Sequence, residues 1–170
     1  SKSAVYTSNF TPSATPLTTS TSPVILAFNG NTLTNAGSVG GAVTTSNSAY
    51  SLITTYSPFL PNLAYETSRL GGSASFDGTG DYLSTPSNAA FGFGTGDFTL
   101  ECWVYPKAYS TRIFEFSSNS DNVDIGASGA LSYYNGSSST NSANGAITLG
   151  AWNHIAIVRS SGTVTGYVNG

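Results

Sequence analysis

Asp97-Phe98-Thr99-Leu100-Glu101-Cys102-Trp103-Val104-Tyr105 alternates side chains with a period of two. A strand sends successive side chains to opposite faces, so Phe98, Leu100, Cys102 and Val104 share one face and Thr99, Glu101, Trp103 and Tyr105 the other. The first face is expected to be core and the second wetter. Downstream, the same kind of short apolar block recurs at Arg112 to Phe116, Val123 to Ile125, Ala130 to Tyr134, Ala146 to Leu149, Trp152 to Arg159 and Thr163 to Val168. Gly, Asn, Ser or Asp flanks each block. Many short strands separated by turn residues predict an all-β, antiparallel two-sheet sandwich of jelly-roll type. Ser160-Ser161-Gly162 joins the last two strands as a hairpin, and Asn135-Gly136 is the strongest short turn signal.

Upstream of Asp97 the pattern weakens. Ser73 to Phe76 and Tyr82 to Ser84 read as short strands, and the stretch from Asn31 to Gly72 reads mostly as loop with one short strand at Ala49 to Ile53. Val24-Ile25-Leu26-Ala27-Phe28, closed by Asn29-Gly30, is a compact apolar run that reads as a buried strand and marks the start of the domain proper, residues 23–170. Residues 1–22 are rich in Ser, Thr and Pro, which is extended connector chemistry. From the strand pattern, Phe76, Phe98, Leu100, Cys102, Val104, Phe114, Trp152, Ile157 and Val168 are expected to be largely buried.

Composition agrees with a folded β protein. Hydrophobic residues make up 39% of the 170 and aromatics 12%, enough for a core, whereas charged residues are only 8%, against about 25% in an average soluble domain. Ser, Thr, Asn and Gly therefore carry the surface, and they favour strands and turns over helices. The five cationic residues, Lys2, Arg69, Lys107, Arg112 and Arg159, are scattered through a chain of net charge −3, which leaves no basic patch for nucleic acid. No apolar run approaches the ~20 residues of a membrane helix, so no membrane insertion is expected. Cys102 is the single cysteine, without an intramolecular partner, and is read as a small buried hydrophobe.

Four segments in order carry a family resemblance. They are Phe76-Asp77-Gly78-Thr79-Gly80-Asp81-Tyr82-Leu83, the run from Gly94 to Pro106, Trp152-Asn153-His154-Ile155-Ala156-Ile157-Val158-Arg159, and Tyr167-Val168-Asn169-Gly170. Together they resemble the laminin-G-like, concanavalin A-like lectin/glucanase superfamily over roughly Val24 to Gly170. The resemblance implies a two-sheet jelly roll, frequent Ca²⁺ binding at a rim, and glycan or protein ligands, without implying one activity. Ser3 to Pro12 is similar to the segment that joins consecutive domains of this kind in tail, fibre and surface proteins of marine bacteriophages. That likeness implies a structural and binding module at a virion surface or outside the cell. Its partners are expected to be other copies, or other structural proteins of the same particle, and a host surface glycan. The alternative is a glycan-binding adhesin module of a secreted or cell-surface bacterial protein.

Retaining glucanases of this superfamily carry Glu-x-Asp-x-x-Glu or a close variant on one strand. Here Glu101 and Glu115 each stand alone, and no catalytic residue is expected. His154, the only histidine, sits in mid-strand and reads as a structural residue on a sheet face, while Arg159 and Glu101 are expected in surface or cross-strand pairs. Asp77, Asp81 and Asp97 lie in Gly-rich turns whose carbonyls are free to join carboxylates around Ca²⁺. They are the candidate metal ligands, with Asp121 and Asp124 as a weaker acidic loop. Tyr105, Tyr109, Tyr133 and Tyr134, with Asn135 and Asn119 nearby, are the glycan candidates, because aromatic faces stack on sugar C–H surfaces and amides bond hydroxyls. Tyr133 and Tyr134 point to opposite faces, so at most one joins any given site. Finally, Asn169-Gly170 after an alternating strand signals a hairpin. The sandwich is therefore expected to be incomplete at its C-terminal end. Residues 1–22 are expected to lie along a neighbouring sheet or subunit instead of in their own domain's core.

Overall fold

The alternating run forms strand β3, Phe98–Val104, and its register shows how the core is assembled. In the computed structural model, which describes residues 3–17, 36–38, 41–46, 58–59, 72–117 and 121–170, β3 pairs antiparallel with β8, Asn153–Ser160, placing Leu100 opposite Ile157 and Cys102 opposite Ile155. Strand β9, Thr163–Val168, pairs with the far edge of β8 to give the three-stranded order β3-β8-β9. A second antiparallel sheet runs in the order β4, Thr111–Ser117; β5, Asp121–Ile125; β6, Leu131–Tyr134; β7, Ser139–Asn141. Phe98, Ile155 and Ile157 from the first sheet pack with Val123, Ile125, Leu131 and Tyr133 from the second, and Ile147 plugs the same cluster. The protein is an all-β antiparallel sandwich, as the alternation predicts.

Two compact units make up the chain: residues Ser13–Phe91, and a second unit in which Lys2–Pro12 joins Gly92–Gly170. In the first, β1, Thr44–Ser46, pairs with β2, Tyr82–Ser84. Its only helical piece among the described residues is the 3-10 turn Ala89–Phe91. The expected strands at Val24 to Phe28 and Ala49 to Ile53, and the expected domain boundary at residues 22 and 23, lie outside the described residues. Both sheets of the sandwich belong to the second unit.

Turn chemistry connects the strands as expected. Ser161 and Gly162 both take positive φ, at 50° and 86°, the geometry of a two-residue turn that matches the strand twist. Asp97 secures that turn by accepting the Ser161 N–H at 2.9 Å. At Asn135-Gly136 the Asn135 Oδ1 accepts the N–H groups of Ser137 and Ser138 at 3.0 and 2.8 Å, closing the β6–β7 connection.

Several expectations are corrected. Phe76 is 44% exposed, because Ser73 to Phe76 forms no strand and alternation gives it no inward direction. Leu100, Cys102, Val104, Phe114 and Val168 pack against the core but are only partly buried, and Trp152 is likewise half-buried. Ala146 to Leu149 is not a strand: Ile147 is buried and its N–H bonds Gly129 O, whereas Leu149 is exposed. The buried Asn153 side chain holds this loop, accepting from Thr148 N and donating to Thr148 O and Ala151 O at 2.9–3.0 Å. Its two-way amide replaces a missing strand partner.

The outer face of β3-β8-β9 is not wetter. Thr99, His154, Ala156 and Val158 on that face are buried. Residues 3–12 lie across it as a strap. Thr99 Oγ1 accepts the Val5 N–H at 2.9 Å and donates to Ser3 O at 2.8 Å, the Tyr6 hydroxyl reaches Glu101, and Phe10 N–H donates to Gly170 O at 3.1 Å. This segment therefore packs on its own domain, contrary to the expectation that it leaves for a neighbour. The cause is visible in its side chains: Tyr6 and Phe10 stack with centroids 3.6 Å apart, and Phe10 sets its ring against His154 and Tyr167. An aromatic pair of this kind recovers more by covering the sheet face than by staying in water.

Candidate functional site

Two polar constellations stand out in the second unit. The first lies beneath the strap. Glu101, opposite Ala156 on the outer face, accepts the Tyr6 O–H at 2.7 Å through Oε2, and His154 Nε2 lies 3.3 Å from the same oxygen. Burial raises the Glu101 pKa, but the bonds from His154 and Tyr6 outweigh it and hold the carboxyl below its ordinary value. Burial, and then the same carboxylate, pushes the Tyr6 hydroxyl up. The His154 side chain is 4% exposed, Trp103 and Phe10 meet its ring edge-on, and its Nδ1 has no hydrogen-bond partner among the described residues. The arrangement is a closed clasp that fastens the strap. Its acid faces protein on every side that the donors occupy.

The second constellation is open. At one end of the sandwich a cleft of about 200 Å³ separates the two sheets, lined by Phe93, Gly94, Phe98, Asp121, Tyr133, Asn135, Arg159 and Val164. Register explains the convergence. Phe98, Arg159 and Val164 form one cross-strand row on the core face of β3-β8-β9, while Asp121, Tyr133 and Asn135 come from the facing ends of β5 and β6. Tyr133 donates its O–H to Asp121 Oδ1 at 2.8 Å. Burial, then that bond and the Asp121 charge, raise the Tyr133 pKa, and the Arg159 charge opposes them. Arg159 Nη1 donates to Gly94 O at 2.7 Å, whereas its Nε is enclosed by protein without a hydrogen-bond partner among the described residues. Phe93 stacks on Phe98 at 4.5 Å and supplies an apolar wall.

The structure separates the candidates drawn from sequence. Asn135 lines the cleft, although its Oδ1 is committed to the turn. Tyr134 faces the other side of β6, and Tyr105 is exposed beside Trp152, with ring centroids 5.6 Å apart. Tyr109 lies over Gly129, with its hydroxyl donating to Ile147 O at 3.2 Å. Asp77 Oδ1 accepts the Thr79 N–H and Asp81 Oδ2 accepts the Asp77 N–H, so both carboxylates serve one turn. Asp97 serves the β8–β9 turn. Among the described residues no group of three or more His, Cys, Asp or Glu side chains converges as a cation would need. Arg159 and Glu101 do not pair with each other, because they project from opposite faces of the sheet.

Sequence reasoning expected Arg159 in a surface or cross-strand pair and did not place it among the residues that line the cleft. The signal was present in the strand parity: Arg159 shares its face with Ile155 and Ile157, and a charge at a core-facing position is the informative anomaly. Comparison with known families follows the same strands. A family model described as the concanavalin A-like lectin/glucanases superfamily, of the laminin G kind, matches residues 77–170, more than half of the chain. Neither the curated proteins nor the solved structures gave a significant match. With its two antiparallel sheets and this matched span, the chain belongs to the laminin G branch of the concanavalin A-like lectin/glucanase superfamily.

Proposed function

We propose that the domain is a non-catalytic binding and assembly module, working at the surface of a phage particle in a tail, fibre or capsid-surface protein. The observation that carries the binding part is the open cleft between the sheets, lined by Arg159, Asn135 and the Tyr133–Asp121 pair. The non-catalytic part is supported by Glu101, the one acid on the outer face of β3, which is engaged by Tyr6 and His154 beneath the strap. Particle assembly is supported by the likeness of Ser3 to Pro12 to the joints between such domains in marine phage proteins. An adhesin role on a bacterial surface is the second reading, favoured by the same cleft.

The two readings part on location. Antibody labelling of intact particles, with mass spectrometry of purified virions, is expected to find the protein at the particle surface. Its absence from particles, combined with binding on a glycan array, moves the assignment to the adhesin. The array is run with and without Ca²⁺, because the turn formed by Asp77 and Asp81 is the region where a calcium contribution is expected.

A further inference from the structure

We propose that Asn135 is a self-modification site, closing on the Gly136 nitrogen to a succinimide that water opens to aspartate or isoaspartate, and so placing a new carboxylate at the rim of the inter-sheet cleft. The sequence holds four Asn-Gly pairs, at 29–30, 135–136, 144–145 and 169–170, and glycine favours this ring closure because no Cβ shields its nitrogen. Residues 29 and 30 lie outside the described residues. Local bonding sets the other three apart. Asn135 Oδ1 accepts the Ser137 N–H at 3.0 Å, which closes a ring of side chain and backbone that contains the Gly136 nitrogen, and it accepts the Ser138 N–H at 2.8 Å as well. These two donors polarise the amide and hold the charge that Oδ1 takes up when Cγ is attacked, as an oxyanion site does. Gly136 holds φ at 86°, and its N–H meets no backbone acceptor among the described residues. It is exposed together with Asn135, so base and water reach both.

The other described pairs are held out of reach. Gly145 N–H donates to Ser128 O at 2.8 Å, so its nitrogen is engaged, and Asn144 Oδ1 takes its bond from the Ser128 hydroxyl. Asn169 Oδ1 accepts the His154 N–H at 2.9 Å, which ties its amide to β8 instead of folding it over Gly170. At Asn135 the steps balance with hydroxide and water alone. Gly136 N–H gives its proton to hydroxide, the nitrogen bonds Asn135 Cγ, and the Cγ–Nδ2 bond breaks as Nδ2 takes a proton from water and leaves as ammonia. Water then adds to the imide. Addition at Cγ releases aspartate, and addition at the main-chain carbonyl carbon of residue 135 releases isoaspartate, in which the chain runs through Cγ. Either product gives the cleft a second carboxylate beside that of Asp121 among its lining residues, which shifts its preference away from anions.

The experiment incubates the full chain, folded and in urea, in mildly alkaline buffer made with oxygen-18 water. Peptide mass spectrometry with isoaspartate detection follows Asn135, Asn144 and Asn169. In the folded chain Asn135 is expected to convert at least about tenfold faster than the other two, a factor within what a pair of polarising donors supplies. Hydroxylamine should trap the succinimide at residue 135. In urea the three rates should converge, because unfolding leaves only the chemistry that every Asn-Gly pair shares. Conversion of Asn144 or Asn169 as fast as Asn135 in the folded chain overturns the proposal, as does an Asn135 that folding protects. Aspartate formed at residue 135 without isoaspartate and without a trapped succinimide means direct hydrolysis of the amide, and overturns it too.

Discussion

Glu101 shows how much one oxygen can hold. Its Oε2 serves both Tyr6 and His154 with the side chain only 14% exposed, so Glu101→Ala strands one buried donor, His154, and one half-buried donor, Tyr6. The expected loss is about 2–4 kcal/mol in urea unfolding. The sign of the pH dependence follows from its lowered pKa. The stability Glu101 contributes is present above its ordinary value of 4.5 and is lost as pH falls through the lower folded value. Wild type should therefore weaken on acidification below that point, and Glu101→Gln should show a flatter acid limb in the same titration. Gly129 is a second sensitive position. It holds φ at 72°, and a Cβ there would stand 3.0 Å from the Tyr109 ring. Gly129→Ala is expected to cost about 1–3 kcal/mol by thermal or urea melting, and Tyr109→Ala in the same background should recover part of that by removing the clash. Single residues of this kind were only half legible in the sequence. His154 reads correctly as a structural histidine from its mid-strand position, but nothing local indicates that Tyr6, 95 positions before Glu101, is its neighbour.

Among the elements, those with strict alternation were legible and the others were not. β3, β8 and β9 follow from their period of two, and the turns between strands follow from Ser-Gly and Asn-Gly. β7, Ser-Thr-Asn, has no apolar member to reveal it, and exists because its backbone pairs with β6. Ala146 to Leu149 has the composition of a strand but is tied down by the Asn153 amide. Parity puts Arg159 on the face of Ile155 and Ile157, but its cross-strand row with Phe98 and Val164 follows only from the register. The strap is the element that sequence misplaced, since Ser/Thr/Pro composition describes an extended chain without saying what it lies on. Phe10 anchors it to His154 and Tyr167. Phe10→Ala is expected to cost about 2 kcal/mol, less than a fully buried phenylalanine because the ring is half-covered. Hydrogen exchange is the measurement: protection should fall at Val5 and Phe10, while β5 and β6 keep theirs. Beneath the opposite face of β3, burial and then the Glu101 charge push the Cys102 thiol up to about 12. It should stay unalkylated by iodoacetamide at neutral pH until the protein unfolds.

At the scale of the whole molecule, charge contributes little to holding the sandwich. Among the described residues its arginine–carboxylate pairs, Arg112 with Asp124 and Glu115 at 3.0 and 2.9 Å, are exposed, and such pairs are worth ~1 kcal/mol or less. Raising NaCl from low to about 1 M, where the screening length falls to ~3 Å, should change unfolding stability by less than about 1 kcal/mol. A larger change would mean that charge carries more of the stability than these pairs do. Packing and turns therefore carry the fold, which suits a surface supplied by Ser, Thr, Asn and Gly. The strap has a further consequence, a mechanical one. It is bonded to Thr99 and Glu101 on β3, rests on His154 of β8, and ends at Gly170 beyond β9, so it crosses the strands of its sheet instead of running beside one. Tension applied through the residues before Ser3 loads those attachments one after another, whereas the ladders of β3, β8 and β9 share load along their length. The strap peels at low force and pays out slack while the sandwich stays folded, so that a pull on this end is absorbed as extension before it reaches the core.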